Sequence, residues 1–326
     1  MKNNLSFITR IAVTAITVSL MLSGYFYVIK PKSISGDGFP TTATYKGFYE
    51  IEKNSLDVIF LGSSHGACAF NPKVMDEKGI SSYNLSCEQQ NLYTSYYWLK
   101  EMLKYQQPKA IVIDIYMLYL FDSEELKSYT ANGTRKAFDF MKMSPNKIEA
   151  CFHGTEIDPE LTPVSMFFPN VMYHTRWKEL SKKDFKLTFS TDEAFSRGFY
   201  DLHGSGVEGY TPFDEPDNTK AVMPNKVMLK YLEKILDICE KESIPLILVL
   251  TPTSLESEEE YSFISNIPNT LWHNVTIVDF NSKEIYSKCN YNFSTDNNDD
   301  DHANIYGAEK ITNYLADYIL SAGLVN

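Results

Sequence analysis

Leu56-Asp57-Val58-Ile59-Phe60-Leu61 is a nearly continuous apolar run that stops at Gly62. A strand with one wet face alternates apolar and polar residues, so an unbroken run indicates a parallel strand buried on both faces. Residues 82–85, 110–115, 245–251 and 275–280 read as four further strands. Helical periodicity fills the intervals. Leu92, Tyr96, Leu99 and Leu103 share a face within 90–105; Met228, Leu232, Ile235 and Cys239 share one within 225–240. Ala308, Ile311, Leu315 and Tyr318 do the same within 305–320. Strands alternating with helices require right-handed crossovers. The expected class is therefore α/β, with a doubly wound parallel sheet.

Residues 117–222 break the rhythm, being far longer than an ordinary crossover. The first half is aromatic-rich and partly helical, as in 163–180. The second half, 198–218, is full of Gly, Asp and Pro. The stretch reads as an inserted cap, a substrate-facing subdomain. With 44% hydrophobic residues the chain can bury a sizeable core, and its net charge of -12 excludes the basic face that nucleic acid requires. Five scattered cysteines contain no Cys-x-x-Cys pair, which removes zinc-ribbon and thioredoxin readings. No disulfide is expected, and Cys239 falls on a buried stripe.

Residues 11–29 carry no charge, with Lys2 and Arg10 before them and Lys30 and Lys32 after. A helix of about 20 apolar residues crosses a bilayer core. The far end, Tyr25-Phe26-Tyr27-Val28-Ile29, is a poor peptidase site and a good interfacial belt. The reading is a signal anchor, with a signal segment that is removed as the alternative. Residues 1–32 hold a short cytoplasmic tail and a single transmembrane helix, 33–50 a linker, and 51–326 an extracytoplasmic domain.

In open α/β sheets, ligands bind beyond the carboxyl ends of the strands. Ser64 follows the first strand and His302 lies between the fifth strand and the last helix, so both belong to that edge. A serine hydroxyl needs a base within reach, and histidine, with an ordinary pKa of about 6.5, suits that task. Asp299, three residues earlier, would fix the tautomer and stabilise the imidazolium. Asp301 should point elsewhere, and Asp300 is less suited. Taken alone, Ser64 could be a helix N-cap; its pairing with His302 favours catalysis. His65 should project away as a structural or rim residue. His153, His174, His203 and His273 have no paired motif. The acidic run at 296–301 lacks the glycine and distal glutamate of a calcium loop, so it reads as solvated and metal-free.

Gly62-Ser63-Ser64 after a first strand, with Asp299-x-x-His302-x-Asn304-x-x-Gly307 before the last helix, resembles the SGNH/GDSL hydrolase family. The resemblance covers about residues 54–321, apart from the insertion. It implies Ser64 as nucleophile, His302 as base and Asp299 as its partner, with no cofactor or metal. It also implies a flavodoxin-like three-layer α/β/α sandwich of strand order 2-1-3-4-5. The family forms its oxyanion hole from the serine N–H, a glycine N–H after the second strand and an asparagine side chain after the third. Here the resemblance assigns the Ser64 N–H and places Gln89 at the glycine position. No asparagine stands where the resemblance would place it after the third strand, so that donor is either missing or replaced by Tyr116 or Tyr119; losing one such donor costs about 10²–10³ in rate.

The anchored N-terminus, Gly-Ser-Ser in place of Gly-Asp-Ser, the insertion and the Asp-x-x-His ending also resemble exported acyl-transfer proteins of bacterial envelopes. The D-alanyl-lipoteichoic acid biosynthesis protein family is one example. That likeness implies an acylated glycan or polyol substrate and a membrane-bound O-acyltransferase as partner. The competing expectation is a non-catalytic protein of the same fold that binds glycan or scaffolds such an acyltransferase; the absent Asn and Gly favour it. A metal-dependent phosphodiesterase on this topology is a third reading, which predicts loss of activity with chelator.

Overall fold

Five short parallel strands form one sheet in the order β2-β1-β3-β4-β5. The structure is a computed structural model that describes residues 2–30, 41–120, 123–185, 197–213, 223–254, 261–265, 267 and 275–325. The strands are β1 (Val58–Leu61), β2 (Ser82–Asn84), β3 (Ala110–Asp114), β4 (Leu246–Leu250) and β5 (Thr276–Asp279). Phe60 pairs with Asn84 on one side and Val112 on the other, Val112 with Ile247, and Leu248 with Ile277. The α/β class and the strand order are those expected from the sequence.

Among the described residues the helices are α1 (Lys2–Ile29), α2 (Thr41–Phe48), α3 (Ser64–Ala69), α4 (Pro72–Glu77), α5 (Leu92–Met102), α6 (Ser123–Phe138), α7 (Pro145–His153), α8 (Pro163–Phe167), α9 (Asn170–Tyr173), α10 (Lys226–Glu242), α11 (Lys283–Lys288), α12 (Phe293–Asp296) and α13 (Ile305–Ser321). Side chains alternate across a strand, so each face of the sheet gains its own core. Val58, Phe60, Val112 and Val249 meet Ile311, Leu315 and Ile319 of α13 on one face. Ile59, Leu61, Ile113 and Leu248 meet Tyr97 and Leu99 of α5 and Leu232 and Ile235 of α10 on the other. Each such burial contributes about 1.5–3 kcal/mol. Asn225 caps α10 by accepting from the Val227 N–H, and left-handed Ser243 ends it. All five cysteines are free, and burial pushes the Cys239 thiol up to about 12.

Two boundaries differ from expectation. Residues 41–48, placed in the linker 33–50, form α2, whose Tyr45 and Phe48 are fully buried. Tyr45 stacks on Trp98 of α5 with ring centroids 4.5 Å apart, and the Thr44 carbonyl accepts from Tyr83 Oη. Residues 31–40 of that linker lie outside the described residues. In the stretch expected as an inserted cap, Phe138, Phe140, Ala150 and Cys151 join the same core as α5. They pack into one core with the sheet and α5. The later part, 197–213, runs as a strap. The Arg197 carbonyl accepts from the Asn84 N–H at the end of β2, the Tyr200 N–H donates to the Ala67 carbonyl on α3, and Phe213 bridges to Ser282 beyond β5.

Helix α1 contains a span, Ser6–Ile29, of 24 residues with mean hydropathy 1.8, long and apolar enough to cross a membrane. Its side chains from Phe7 to Phe26 are largely exposed, and Ile29 is buried against the domain.

Candidate active site

Gly62 lets the end of β1 approach the end of β3: a Cβ at this position would lie 2.5 Å from Asp114 Cβ. Ser63 then takes extended geometry as the N-cap of α3, and its Oγ accepts from the His65 N–H at 3.2 Å. The cap role weighed for Ser64 therefore belongs to Ser63. Ser64 opens the helix with its hydroxyl 2.9 Å from His302 Nε2. Among the described residues no partner occupies the Ser64 N–H, one of the donors a helix start leaves free.

His302 sits in a tight loop before α13. Asp299 Oδ1 accepts from the N–H groups of His302 and Asp301 at 2.7 and 2.8 Å, and Asp299 Oδ2 accepts from Asn298 Nδ2 at 2.9 Å. The His302 ring presents Nδ1 to Asp299 Oδ1 at 3.1 Å. With the proton on Nδ1, Nε2 is the acceptor for Ser64. Asn304 locks this loop. Its Nδ2 donates to the carbonyls of Thr295, Asn297 and Gly204, while its Oδ1 caps α13 through the N–H groups of Tyr306 and Gly307. Gly307 is required for closeness, since a Cβ there would stand 2.1 Å from the Asp296 carbonyl oxygen. The Asn304-x-x-Gly307 half of the motif is thus loop architecture.

Charge in the site is polarised. Burial alone would raise Asp299, but hydrogen bonds from His302, Asn298 and the Asp301 N–H outweigh it and hold the carboxyl well below the usual range. Burial alone would lower His302; the Asp299 hydrogen bond and charge, with Asp301 and Asp114 beyond, lift the ring above its ordinary value. His65 behaves oppositely: burial, then the neighbouring His302, pushes it well below the histidine range, so it stays neutral. Its ring stacks on Tyr116 with centroids 3.6 Å apart and lies 4.8 Å from the His302 ring. Of the two roles expected for His65, structural or rim, its burial fits the structural one, although the ring lies beside that of His302. Residue 65 follows N1 of a short helix, and the turn carries its ring inward between β3 and β4, where Thr251 Oγ1 lies 3.4 Å from Nδ1.

The structure thus brings Ser64, His302 and Asp299 into one chain of contacts. Tyr116 is joined to them through the His65 ring. Gln89 lies after β2 in the left-handed region at φ 56°, its backbone packed against Gly133 of α6, and no contact among the described residues joins it to Ser64. Tyr119 turns into the core, its ring 4.2 Å from that of Phe263. The acidic run is less solvated than expected. Buried Asp296 accepts from Lys310 Nζ at 2.6 Å, and Asp301 accepts from Thr253 Oγ1 at 2.7 Å, away from His302. Among the described residues no cluster of potential ligands could hold a metal ion. Sequence reasoning missed Asp114 and His65. A carboxylate closing an otherwise apolar strand, beside a Gly-Ser-Ser turn, was the available signal for Asp114.

No protein-family model matches the chain, and no curated protein matches it. Among solved structures it is similar to a provisionally named acylhydrolase from Bacteroides fragilis NCTC 9343, at 10% identity and a TM-score of 0.38, over 86% of this chain and 95% of that one. It is also similar to a provisionally named GDSL-like lipase from Parabacteroides merdae ATCC 43184, at 11% identity and a TM-score of 0.37, over 84% and 99%. Neither likeness is close enough to assign an activity.

Proposed function

We propose that this chain is a membrane-anchored, extracytoplasmic serine esterase or O-acyltransferase of SGNH type. Its substrates would be acyl esters of cell-envelope or exopolysaccharide glycans or polyols. The observation that carries the reading is the contact chain from Ser64 Oγ to His302 Nε2 at 2.9 Å and from His302 Nδ1 to Asp299 at 3.1 Å.

In this reading Ser64 Oγ attacks the acyl carbonyl as its proton passes to His302 Nε2, and Asp299 stabilises the imidazolium. The Ser64 N–H, with Gln89 and Tyr116 as the further donors inferred from the family resemblance, faces the developing oxyanion. The proton then moves from His302 to the departing alkoxide, leaving acyl-Ser64. In the second half His302 deprotonates water or an acceptor hydroxyl, whose oxygen attacks the acyl carbon; the acyl–Oγ bond then breaks as the His302 imidazolium gives its proton back to Ser64 Oγ, releasing the acid or the new ester. Helix α1 supplies the anchor, and a membrane-bound O-acyltransferase is the partner this arrangement suits.

A fluorophosphonate probe tests the proposal on the full chain. Covalent labelling that disappears in Ser64→Ala is the expected result. A folded chain that takes no label, yet binds glycan equally well with and without the Ser64 hydroxyl, would overturn it in favour of a binding or scaffold role.

A further inference from the structure

The last turn of α1 is clamped to the domain. The Ile29 carbonyl accepts from Arg176 Nη1 at 2.8 Å, and Arg176 Nη2 pairs with buried Asp184 at 2.6 Å. Lys30 Nζ donates to the Asp139 carbonyl at 2.7 Å, and Tyr25 Oη approaches the His174 carbonyl at 3.5 Å. A cation over the closing carbonyls of a helix satisfies groups that otherwise lack partners. The clamping segment consists of α9 and the 3-10 turns His174–Lys178 and Lys182–Phe185.

The stretch 164–185, which includes this segment, exposes apolar side chains between its polar ones. Val164, Phe168, Val171, Met172, Trp177 and Phe185 are all exposed, from 37% at Met172 to 63% at Phe168. Single exposed hydrophobics are ordinary, but a group of six in one short segment marks an interaction surface. The local charge also departs from that of the chain. Residues 164–185 hold Arg176, Lys178, Lys182 and Lys183 against Glu179 and Asp184, in a protein of net charge -12. Lys178 Nζ lies 5.6 Å from the Trp177 ring centroid. Apolar anchors, an exposed tryptophan and basic neighbours are the composition of a segment lying at a bilayer interface.

We infer that this face docks on the lipid surface, seating the apolar side chains among the headgroups and Lys178 and Lys182 against anionic lipid. The occupant follows from continuity. Helix α1 exposes apolar side chains from Phe7 to Phe26, and its last turns meet the segment at His174 and Arg176. The inference rests on the anchored reading above, and it adds that the domain is held at a set tilt instead of swinging on its linker.

Trp177 reports directly. The full chain is reconstituted in vesicles of phosphatidylcholine and phosphatidylglycerol, and subtracting the emission of Trp177→Phe isolates Trp177. The expected result is quenching by lipids brominated near the headgroup, with a several-fold lower acrylamide quenching constant than a free tryptophan amide. In Phe168→Asp/Val171→Asp, acrylamide access should return while the chain stays in the vesicles. A Trp177 that is open to acrylamide and untouched by brominated lipid, in a chain that resists alkaline extraction, overturns the docking and leaves the face to a protein partner. Unchanged shielding in the double variant also overturns it. Release of the wild-type chain by alkaline extraction overturns the anchor itself.

Discussion

Ser63 and Asp114 meet at the carboxyl ends of β1 and β3, where the Ser63 hydroxyl donates to Asp114 Oδ2 at 2.5 Å. The same Oδ2 accepts from the Ser63 N–H, and Oδ1 accepts from the Tyr116 N–H, both at 3.0 Å. Burial pushes Asp114 above the carboxylate range, opposed by these bonds and by the Gly66 N–H. One buried carboxyl therefore ties the turn that presents Ser64 to the turn that presents Tyr116. Ser63, which resemblance marks as a departure from the Gly-Asp-Ser pattern, is the donor this acceptor needs.

Asp114→Ala should be far more costly than its surface area suggests. It leaves the Ser63, Gly66 and Tyr116 N–H groups and the Ser63 hydroxyl without this acceptor, and breaking a buried charged network of this kind costs about 3–5 kcal/mol. Ser63→Ala should cost less, about 1–2 kcal/mol, through loss of the cap. Denaturant unfolding of the full chain in detergent gives both values, and equal costs would contradict the clamp.

Ser64→Ala and His302→Ala should each lower ester turnover by about 10⁴–10⁶, and the double variant should lose little more, because members of one proton-transfer unit are not additive. Ser64 is half-buried and, among the described residues, its hydroxyl bonds the His302 ring alone, so the fold should be unchanged. Initial rates on a p-nitrophenyl acyl ester, with melting curves as control, provide the check.

The pH profile follows from the raised His302. The base works only when neutral, so turnover should be absent below the folded-state pKa of His302 and rise as pH passes through it. Because Asp299 lifts that value above 6.5 against the effect of burial, the acid limb should have its midpoint above 6.5. Asp299→Asn removes the largest raising cause. Its midpoint should fall, and turnover should drop by about 10³–10⁴ as the favoured tautomer is lost. A midpoint unmoved by this change would assign the limb to another group. His65 is not a candidate, since burial pushes its ring the opposite way, well below the histidine range.

The sheet was legible because strands buried on both faces leave continuous apolar runs, as at Val58–Leu61. The pairing of Ser64 with His302 was legible because chain order and sheet topology place both at one edge. Other features had no periodic trace. Helix α2 is held by a stack of Tyr45 on Trp98, a contact between residues distant in sequence that no local pattern announces. For His65 the choice between a structural and a rim residue stayed open, because its inward turn depends on Ser63 taking the cap position. The acidic run looked solvated because Lys310 and Thr253, which occupy two of its carboxylates, come from elsewhere in the fold.

Asn304 tests whether the loop around His302 must be held from both sides. Its amide donates to three carbonyls at 2.7–3.1 Å, one of them Gly204 on the strap, and its oxygen caps α13. Gly204 also donates its N–H to Asn298 Oδ1 at 2.7 Å, next to Asp299. Asn304→Ala removes cap and ties together, whereas Asn304→Ser keeps a cap of comparable quality and loses the ties. Stability should therefore recover by about 1 kcal/mol in Asn304→Ser relative to Asn304→Ala. Turnover should recover much less, because a displacement near 1 Å at His302 costs on the order of 10² in rate. If Asn304→Ser regains wild-type kcat, the cap alone positions the loop and the strap plays no part in holding His302.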